Sequence, residues 1–273
     1  MKLYLIRHGK TEANLRHLYL GRTEVPLLES EIPILRRNAD LYPRAEIYVT
    51  SGMLRTEQTF AAIYGDIPHS ADPDLRELDF GRFEMHSYEE LKEDPDYQAW
   101  ISGDNLANAA PGGESFRMQQ ERVLRALERI IAGGKDAVCL VHGGTISAAM
   151  SAWFPPEDQN IYSLTPEPKC GFAVEIAEGL PVSYAKIEPP EDSFRYFENR
   201  ACKYYPCHDA AHINCLFCYC PLYELEHCPG DHYYKEKNGR PLKVCTNCTF
   251  PHKAENYDIV MKFLKARMNG GAV

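Results

Sequence analysis

The chain has 273 residues, 44% of them hydrophobic and 25% charged, with a formal net charge of −9. That length supports one substantial core, or one core and a small satellite, and the negative balance argues against a nucleic-acid partner, because a polyanion would be repelled overall. No apolar run approaches the roughly 20 residues needed to span a bilayer and no basic-then-apolar leader is present, so a cytoplasmic protein with no membrane partner is expected.

Residues 2–6 form an apolar, β-prone run, read as a buried strand that delivers Arg7, His8 and Gly9 at its end. Strand ends are where open α/β sheets bind ligands. A cation, an imidazole and a glycine together suit an anion: Gly9 has no Cβ to keep an oxyanion from its N–H, and Thr11 and Asn14 add neutral donors. Asn14 by itself would equally cap a turn. A helix is expected over 31–41 and a second strand over 46–50. The segment Ser51-Gly52-Met53-Leu54-Arg55 then opens a helix over Leu54–Tyr64 and sets Arg55 near its N-terminus.

The loop 75–81 holds Glu77 and Asp79 before a glycine turn, and Glu84 follows. Helices are expected over 88–101 and 114–131; in the second, Val123, Leu127, Ile130 and Ile131 share one face, and Gly133-Gly134 stop it. A strand at Ala137–Val141 ends in His142-Gly143-Gly144 and leads into a helix over 145–153, again offering bare backbone to an anion. Strands at 171–176 and 183–187 complete the region. Such alternation predicts an α/β domain over 1–187, with a mostly parallel sheet flanked by helices on both faces. Alone, His142 would be an ordinary strand-end histidine and Arg55 a surface charge at a helix start; beside His8 in the same kind of context both point to phosphate. His17, His69 and His86 lack that context and read as surface or loop residues.

Residues 188–193 read as a stiff, charged linker to a second domain at 194–273. Of ten cysteines, only Cys139 and Cys170 precede residue 200, both in apolar strand-like runs where buried thiols are common. The rest cluster, and without a secretory leader such a cluster indicates metal rather than disulfides. Candidate ligands are Cys202, Cys207, His208, Cys215, Cys218, Cys220, Cys228, Cys245, Cys248 and His252. Two C-x2-C pairs with enough partners for two tetrahedral sites favour two zinc ions, with an iron–sulfur cluster as the alternative. A small region with little core would need such a staple. A helix over Tyr257–Met268 is expected to pack onto this domain, and 270–273 to fray. Its mixture of lysine and aromatic residues also suits a protein partner.

Four segments in this order, RHGKTEAN at 7–14, SGMLRTEQT at 51–59, LRELDFG at 75–81 and VHGGT at 141–145, resemble the histidine phosphatase superfamily, which includes the cofactor-dependent phosphoglycerate mutases. The resemblance covers about the first 187 residues and implies a phosphoglycerate mutase-like fold. It implies a phosphohistidine on His8, with Arg7, Asn14, Arg55, His142 and Gly143 around the phosphoryl oxygens and no metal in the reaction. Glu77 would protonate the leaving alkoxide and then activate water, with His142 also in the catalytic set; the preference for Glu77 over Asp79 and Glu84 rests on the resemblance. His8 must be neutral to attack, so one ring nitrogen should be held as N–H by a backbone acceptor.

The segment GRFEMHSYEEL at 81–91 resembles the α-ribazole phosphatases of cobalamin assembly and broad phosphatases of that branch. The lid before Pro111-Gly112-Gly113-Glu114 is shorter than in mutases, which favours hydrolysis. Specificity is expected from 19–24 and 83–113. The stretch Val25-Pro26-Leu27-Leu28-Glu29-Ser30-Glu31 departs from the polar, glycine-containing pattern of the family. The C-terminal pattern resembles a cysteine-rich small domain of metal-binding type found near cobalamin genes. Together these lead to an α-ribazole 5′-phosphate phosphatase acting on a small phosphorylated substrate. The alternatives are a broad sugar or nucleotide phosphatase, a phosphoglycerate mutase, or a non-catalytic module that binds through its cysteine-rich tail.

Overall fold

Six strands form one sheet: β1 (Lys2–Arg7), β2 (Ile47–Thr50), β3 (Ser70–Ala71), β4 (Ala137–Val141), β5 (Gly171–Ala177) and β6 (Leu180–Ile187), in the spatial order β3-β2-β4-β1-β5-β6. The computed structural model describes residues 1–104, 106–157, 160–189, 196–210 and 212–268. The expected frayed tail at 270–273 and the 190–193 part of the expected linker lie outside the described residues. The chain divides into two compact units, Met1–Pro189 and Pro190–Val273.

The first four strands run parallel, whereas β5 is antiparallel to β1 and β6 to β5. The antiparallel edge has a local cause. Glu178 and Gly179, at φ 53° and 80°, make a two-residue turn of the kind that joins hairpin strands.

Helices α1 (Glu12–Leu15), α2 (Glu31–Arg37), α3 (Leu54–Tyr64), α4 (Tyr88–Leu91), α5 (Pro95–Ser102), α6 (Phe116–Ala132) and α7 (Gly143–Trp153) complete the first unit. Every residue of β4 is buried. Its alternation sends Ala137, Cys139 and Val141 to a core with Val123 and Leu127 of α6 and Ile146 and Met150 of α7. Val138 and Leu140 meet Leu35 of α2 and Phe60 and Ile63 of α3 on the opposite face. A strand covered on both faces needs an apolar run without polar alternation, and Ala137–Val141 supplies it.

Two expected helices are shorter than their sequence pattern. The 88–101 segment breaks into α4 and α5 because Pro95 takes the first helical position and Asp94 caps it, accepting from the N–H groups of Asp96 and Tyr97. The 31–41 segment stops at Arg37 and continues as a short 3-10 turn, Ala39–Leu41.

Register places the chemistry. Arg7 of β1 lies opposite Val141 of β4, and Thr50 of β2 opposite Leu140. Parallel neighbours end on the same edge, so the next residues, His8, Ser51 and His142, emerge side by side.

The C-terminal unit contains a 3-10 turn at Cys215–Phe217, a hairpin of β7 (Tyr233–Lys237) and β8 (Arg240–Val244), and α8 (Tyr257–Met268). Its apolar core is small, with Tyr196, Ile213, Leu222 and Val260 buried, and Phe217 stacks on Tyr257 of α8. Buried Glu198 ties the core together by accepting from the hydroxyls of Tyr196 and Tyr205, both at 2.8 Å, and from the Ile213 N–H at 3.0 Å. No helix among the described residues is long and apolar enough to cross a membrane.

Candidate active site

His8 follows β1 and is 3% exposed. Its Nδ1–H donates to the Gly9 carbonyl at 2.7 Å, which leaves Nε2 as the nitrogen with a free lone pair. Burial first, then the Arg55 and Arg7 guanidinium groups, hold His8 well below the usual histidine range against the pull of the Gly9 carbonyl. The imidazole is therefore neutral. The Gly9 N–H departs from the sequence expectation: it donates to Thr59 Oγ1 at 3.0 Å rather than facing an open anion site. The missing Cβ of Gly9 serves packing instead, since one would lie 3.2 Å from Leu35 and 3.3 Å from Glu31 Oε2.

Arg55 is fully buried in the first turn of α3, whose leading N–H, that of Leu54, is satisfied by Glu24 Oε2 at 2.8 Å. The guanidinium donates to the carbonyls of Gly21 and Thr23 at 2.7 and 3.0 Å, and its Nε to His142 Nδ1 at 3.2 Å. Burial pulls Arg55 down to about 10, which leaves it cationic at neutral pH. Arg7 donates through one terminal nitrogen to the Pro166 carbonyl at 2.8 Å, while its buried Nε has no hydrogen-bond partner. A buried donor without an acceptor is costly, and a phosphoryl oxygen would satisfy it.

The ring of His142 lies 5.2 Å from that of His8, edge to face. Its Nδ1 accepts from Arg55, and its Nε2–H donates to Ser51 Oγ at 2.8 Å. Burial, followed by Arg55, His8 and Arg7, holds it well below the usual range, so both imidazoles are neutral together. Ser51 therefore fixes the tautomer of His142, a role its sequence neighbourhood did not disclose. Gly143 follows directly, and a Cβ there would lie 3.1 Å from the Arg7 guanidinium carbon. Asn14 adopts the turn-capping geometry, its Oδ1 accepting from the Thr11 N–H at 2.9 Å and hydroxyl at 3.0 Å.

Glu77, 8% exposed, sits at the N-terminus of α7. Its Oε2 accepts from the Gly144 N–H at 2.9 Å; its Oε1 accepts from the Leu78 N–H at 2.8 Å and from Gln119 Nε2 at 3.0 Å. Only glycine allows this approach at 144, because a Cβ would collide with the Glu77 carboxylate. The loop behind Glu77 is clamped by Arg122 of α6, which donates to the carbonyls of Asp74, Arg76 and Glu77 and pairs with Glu114.

The other nearby carboxylates are otherwise engaged. Glu84 accepts from the N–H groups of Gly21, Arg22, Thr23 and Phe80 and from the Thr23 hydroxyl, so it braces the loop beneath Arg55. Asp79 caps the Gly81 N–H at 2.9 Å. Sequence reasoning missed Arg122 and Gln119. Their signal was two polar residues within the buried stripe of α6, beside Val123 and Ala126.

Beside Glu77 opens a cavity of about 380 Å³ lined by Tyr19, Leu78, Phe80, Trp100, Ile101 and Phe116, together with Gln119, Gly144, Tyr162 and Thr165. Tyr19, Phe80 and Trp100 pack ring against ring, 5.1 to 6.1 Å between centroids, and the Tyr19 and Tyr97 hydroxyls share a hydrogen bond at 2.5 Å. Among the described residues that line it, Glu77 is the single charged one. The expected specificity loops contribute Tyr19, Trp100 and Ile101; Phe80, Phe116 and Tyr162 come from outside them.

In the C-terminal unit no disulfide forms. A second cavity, of about 180 Å³, is lined by Cys218, Cys220, Cys228, Cys245 and Cys248 together with His208 and His252, whose rings lie 4.2 Å apart. Cys207 Sγ is 3.2 Å from His208 Nδ1, while Asn199 N–H donates to Cys215 Sγ at 3.3 Å. Cys202, Cys207 and Cys215 are not part of that lining. Thiols and imidazoles are the donor types zinc takes, but among the described residues no three His, Cys, Asp or Glu side chains converge closely enough to hold an ion as they stand.

The sequence pattern of the histidine phosphatase superfamily, branch 1, matches residues 3–183, and that of a cysteine-rich small domain matches residues 193–271. An adenosylcobalamin/alpha-ribazole phosphatase of Salmonella typhimurium is 30% identical over 189 residues, covering 66% of this chain and 93% of that protein. The crystal structure of an alpha-ribazole phosphatase from Shigella flexneri superposes with a TM-score of 0.62 at 25% identity, over 71% of this chain and 99% of the other. A phosphoserine phosphatase from Entamoeba histolytica, in complex with 3-phosphoglyceric acid, gives 0.60 at 26% identity over 67% and 95%.

Proposed function

This chain belongs to the histidine phosphatase superfamily, and from that premise we propose that it hydrolyses α-ribazole 5′-phosphate through a phosphohistidine on His8. It is a phosphatase, and its substrate is a small phosphorylated molecule. The observation that carries the mechanism is the neutral His8, aimed by the Gly9 carbonyl, beside the buried Arg55, the half-buried Arg7 and one ordered carboxylate.

In the first step His8 Nε2 attacks phosphorus, the bond from phosphorus to the ester oxygen breaks, and Glu77 gives its proton to the departing alkoxide. In the second, Glu77 takes a proton from water as that water attacks phosphorus. The bond to Nε2 breaks, and inorganic phosphate leaves with His8 neutral again. Arg7 and Arg55 stabilise the charge on the equatorial oxygens, Arg7 through its unpartnered Nε. His142 and Gly143 close the same side, and Asn14 shapes the turn that follows Gly9. No metal takes part in these steps.

Two features support the ribazole ester. Relatives bearing that name cover nearly their whole length with this chain. The cavity beside Glu77 is aromatic and carries no cation among the described residues of its lining, which suits a neutral, flat leaving group and leaves a second phosphate or a carboxylate unneutralised. Phosphoglycerates would be disfavoured by the same lining. In this reading the protein works in the cytoplasm, which fits the lack, among the described residues, of a helix long and apolar enough to cross a membrane.

The C-terminal unit holds zinc in this reading, with Cys218, Cys220, Cys228, Cys245, Cys248, His208 and His252 as the pool of ligands. The ions would act as a structural staple, and the exposed aromatic residues Tyr204 and Tyr219 would meet a protein partner.

Steady-state hydrolysis of α-ribazole 5′-phosphate, 3-phosphoglycerate, sugar phosphates and nucleotides tests the assignment. The ribazole ester should have the highest kcat/KM, and His8→Ala should lower kcat on the order of 10⁴-fold or more. No preference for the ribazole ester would defeat the substrate assignment; normal turnover by His8→Ala would defeat the mechanism.

A further inference from the structure

The 25–31 stretch that departs from its family's pattern ends in Glu31, which is 3% exposed at the start of α2. Its Oε2 lies 3.4 Å from Nζ of Lys169, which is 5% exposed, and accepts from the Lys10 N–H at 3.2 Å. Lys169 in turn reaches the nucleophile loop from the other side: its backbone N–H lies 3.2 Å from the carbonyls of both Arg7 and His8. It does so at φ +73°, a conformation that residues with side chains rarely adopt. Gly9 is held between these contacts, with Glu31 Oε2 where its Cβ would crowd.

Neither device favours stability in itself. A buried ion pair gains little over an apolar pair of the same size, and a strained backbone persists only where the surroundings over-determine it. Both occur together beside the reacting imidazole. We infer that the Glu31–Lys169 pair is a strut that positions His8, by fixing the Gly9 peptide whose carbonyl receives the His8 Nδ1–H. Glu31 holds the loop at Lys10, Lys169 holds it at Arg7 and His8, and the ion pair ties the two anchors together. Both are positioning residues, since neither contacts the reacting phosphorus. The inference rests on the reading of His8 as nucleophile.

Removing one partner strips a buried charge of a counter-ion and risks failure to fold, so the informative protein is the full chain carrying Glu31→Gln and Lys169→Met together. It should keep the wild-type Tm and a KM within about twofold, while kcat falls roughly 10- to 100-fold, the cost of a nucleophile displaced by a fraction of an ångström to one ångström. The His8 Nδ1–H, followed by NMR of protein labelled with ¹⁵N-histidine, should exchange with solvent faster than in the wild type. Lys169→Arg, which keeps the cation, should retain most of kcat. A double variant with wild-type kcat and unchanged His8 proton exchange would overturn the strut. If His8→Ala turned over normally, the phosphohistidine reading would fail separately, and the His8 proton signal would still decide the strut.

Discussion

The strand-end site and the cysteine cavity are built from the same material, ionisable side chains crowded together, and they differ in how far the fold commits them. His8, Arg55, Glu77 and His142 are each less than a tenth exposed, and each is held by named partners at hydrogen-bond distance. In the C-terminal unit Cys207 and Cys218 are exposed, and no three donors converge among the described residues. A site that stabilises a passing transition state has to be ordered beforehand by its own scaffold. A structural metal site can take its final geometry from the ion, because binding and folding are then one process.

Removing metal should therefore produce the largest separation between the two regions. Purified full-length protein should contain about two zinc ions per chain, and a structural zinc site contributes about 10–16 kcal/mol of apparent binding free energy. Chelation should collapse the amide NMR signals of the C-terminal unit while hydrolysis continues. Parallel loss of hydrolysis would erase the contrast, and a brown, iron-containing preparation would replace zinc with a cluster.

A smaller effect tests how far Glu77 is committed. Glu77→Gln should lower kcat on the ribazole ester by about 10²- to 10⁴-fold, the usual span for a general acid–base. With 4-nitrophenyl phosphate, whose leaving group departs without a proton, the first step should be spared and phosphohistidine should accumulate. An equal loss in both steps would assign Glu77 to electrostatics rather than proton transfer.

The parts of this site that were legible in the sequence depend on local pattern. Ala137–Val141 reads as a strand because five buried residues in a row have no polar alternation, and the residue after a strand end is known once the strand is. His8, Arg55 and His142 were found that way. The roles of Ser51, Glu84, Gln119 and Arg122 were not, because each acts through a partner 42 to 91 residues away in the chain, as in Ser51 with His142 and Gln119 with Glu77. The β7–β8 hairpin had a usable local signal that went unread, Asn238-Gly239, both at positive φ. Glu31 was visible only as a departure from pattern. Its meaning required Lys169, 138 residues on, folded back against β1.

The smallest expected effect is a pH dependence of stability that belongs to the first unit. His8 and His142 are both held well below the usual histidine range by burial and by the neighbouring arginines, so the fold keeps them neutral. In the unfolded chain they protonate near the ordinary value of about 6.5, so below that pH the unfolded state binds more protons than the native one. Their contribution is fully present above pH ~6.5 and declines as the pH falls, each histidine by up to about 1.4 kcal/mol per pH unit. Trp100 and Trp153, the chain's two tryptophans, both lie in this unit, so tryptophan fluorescence reads its unfolding without the cysteine-rich unit. Urea midpoints followed this way should drop between pH 7 and pH 5, and His142→Gln should show a shallower slope than the wild type. A flat midpoint over that range would mean that the histidines are not held neutral, and the ordered character of the strand-end site would lose its main electrostatic support.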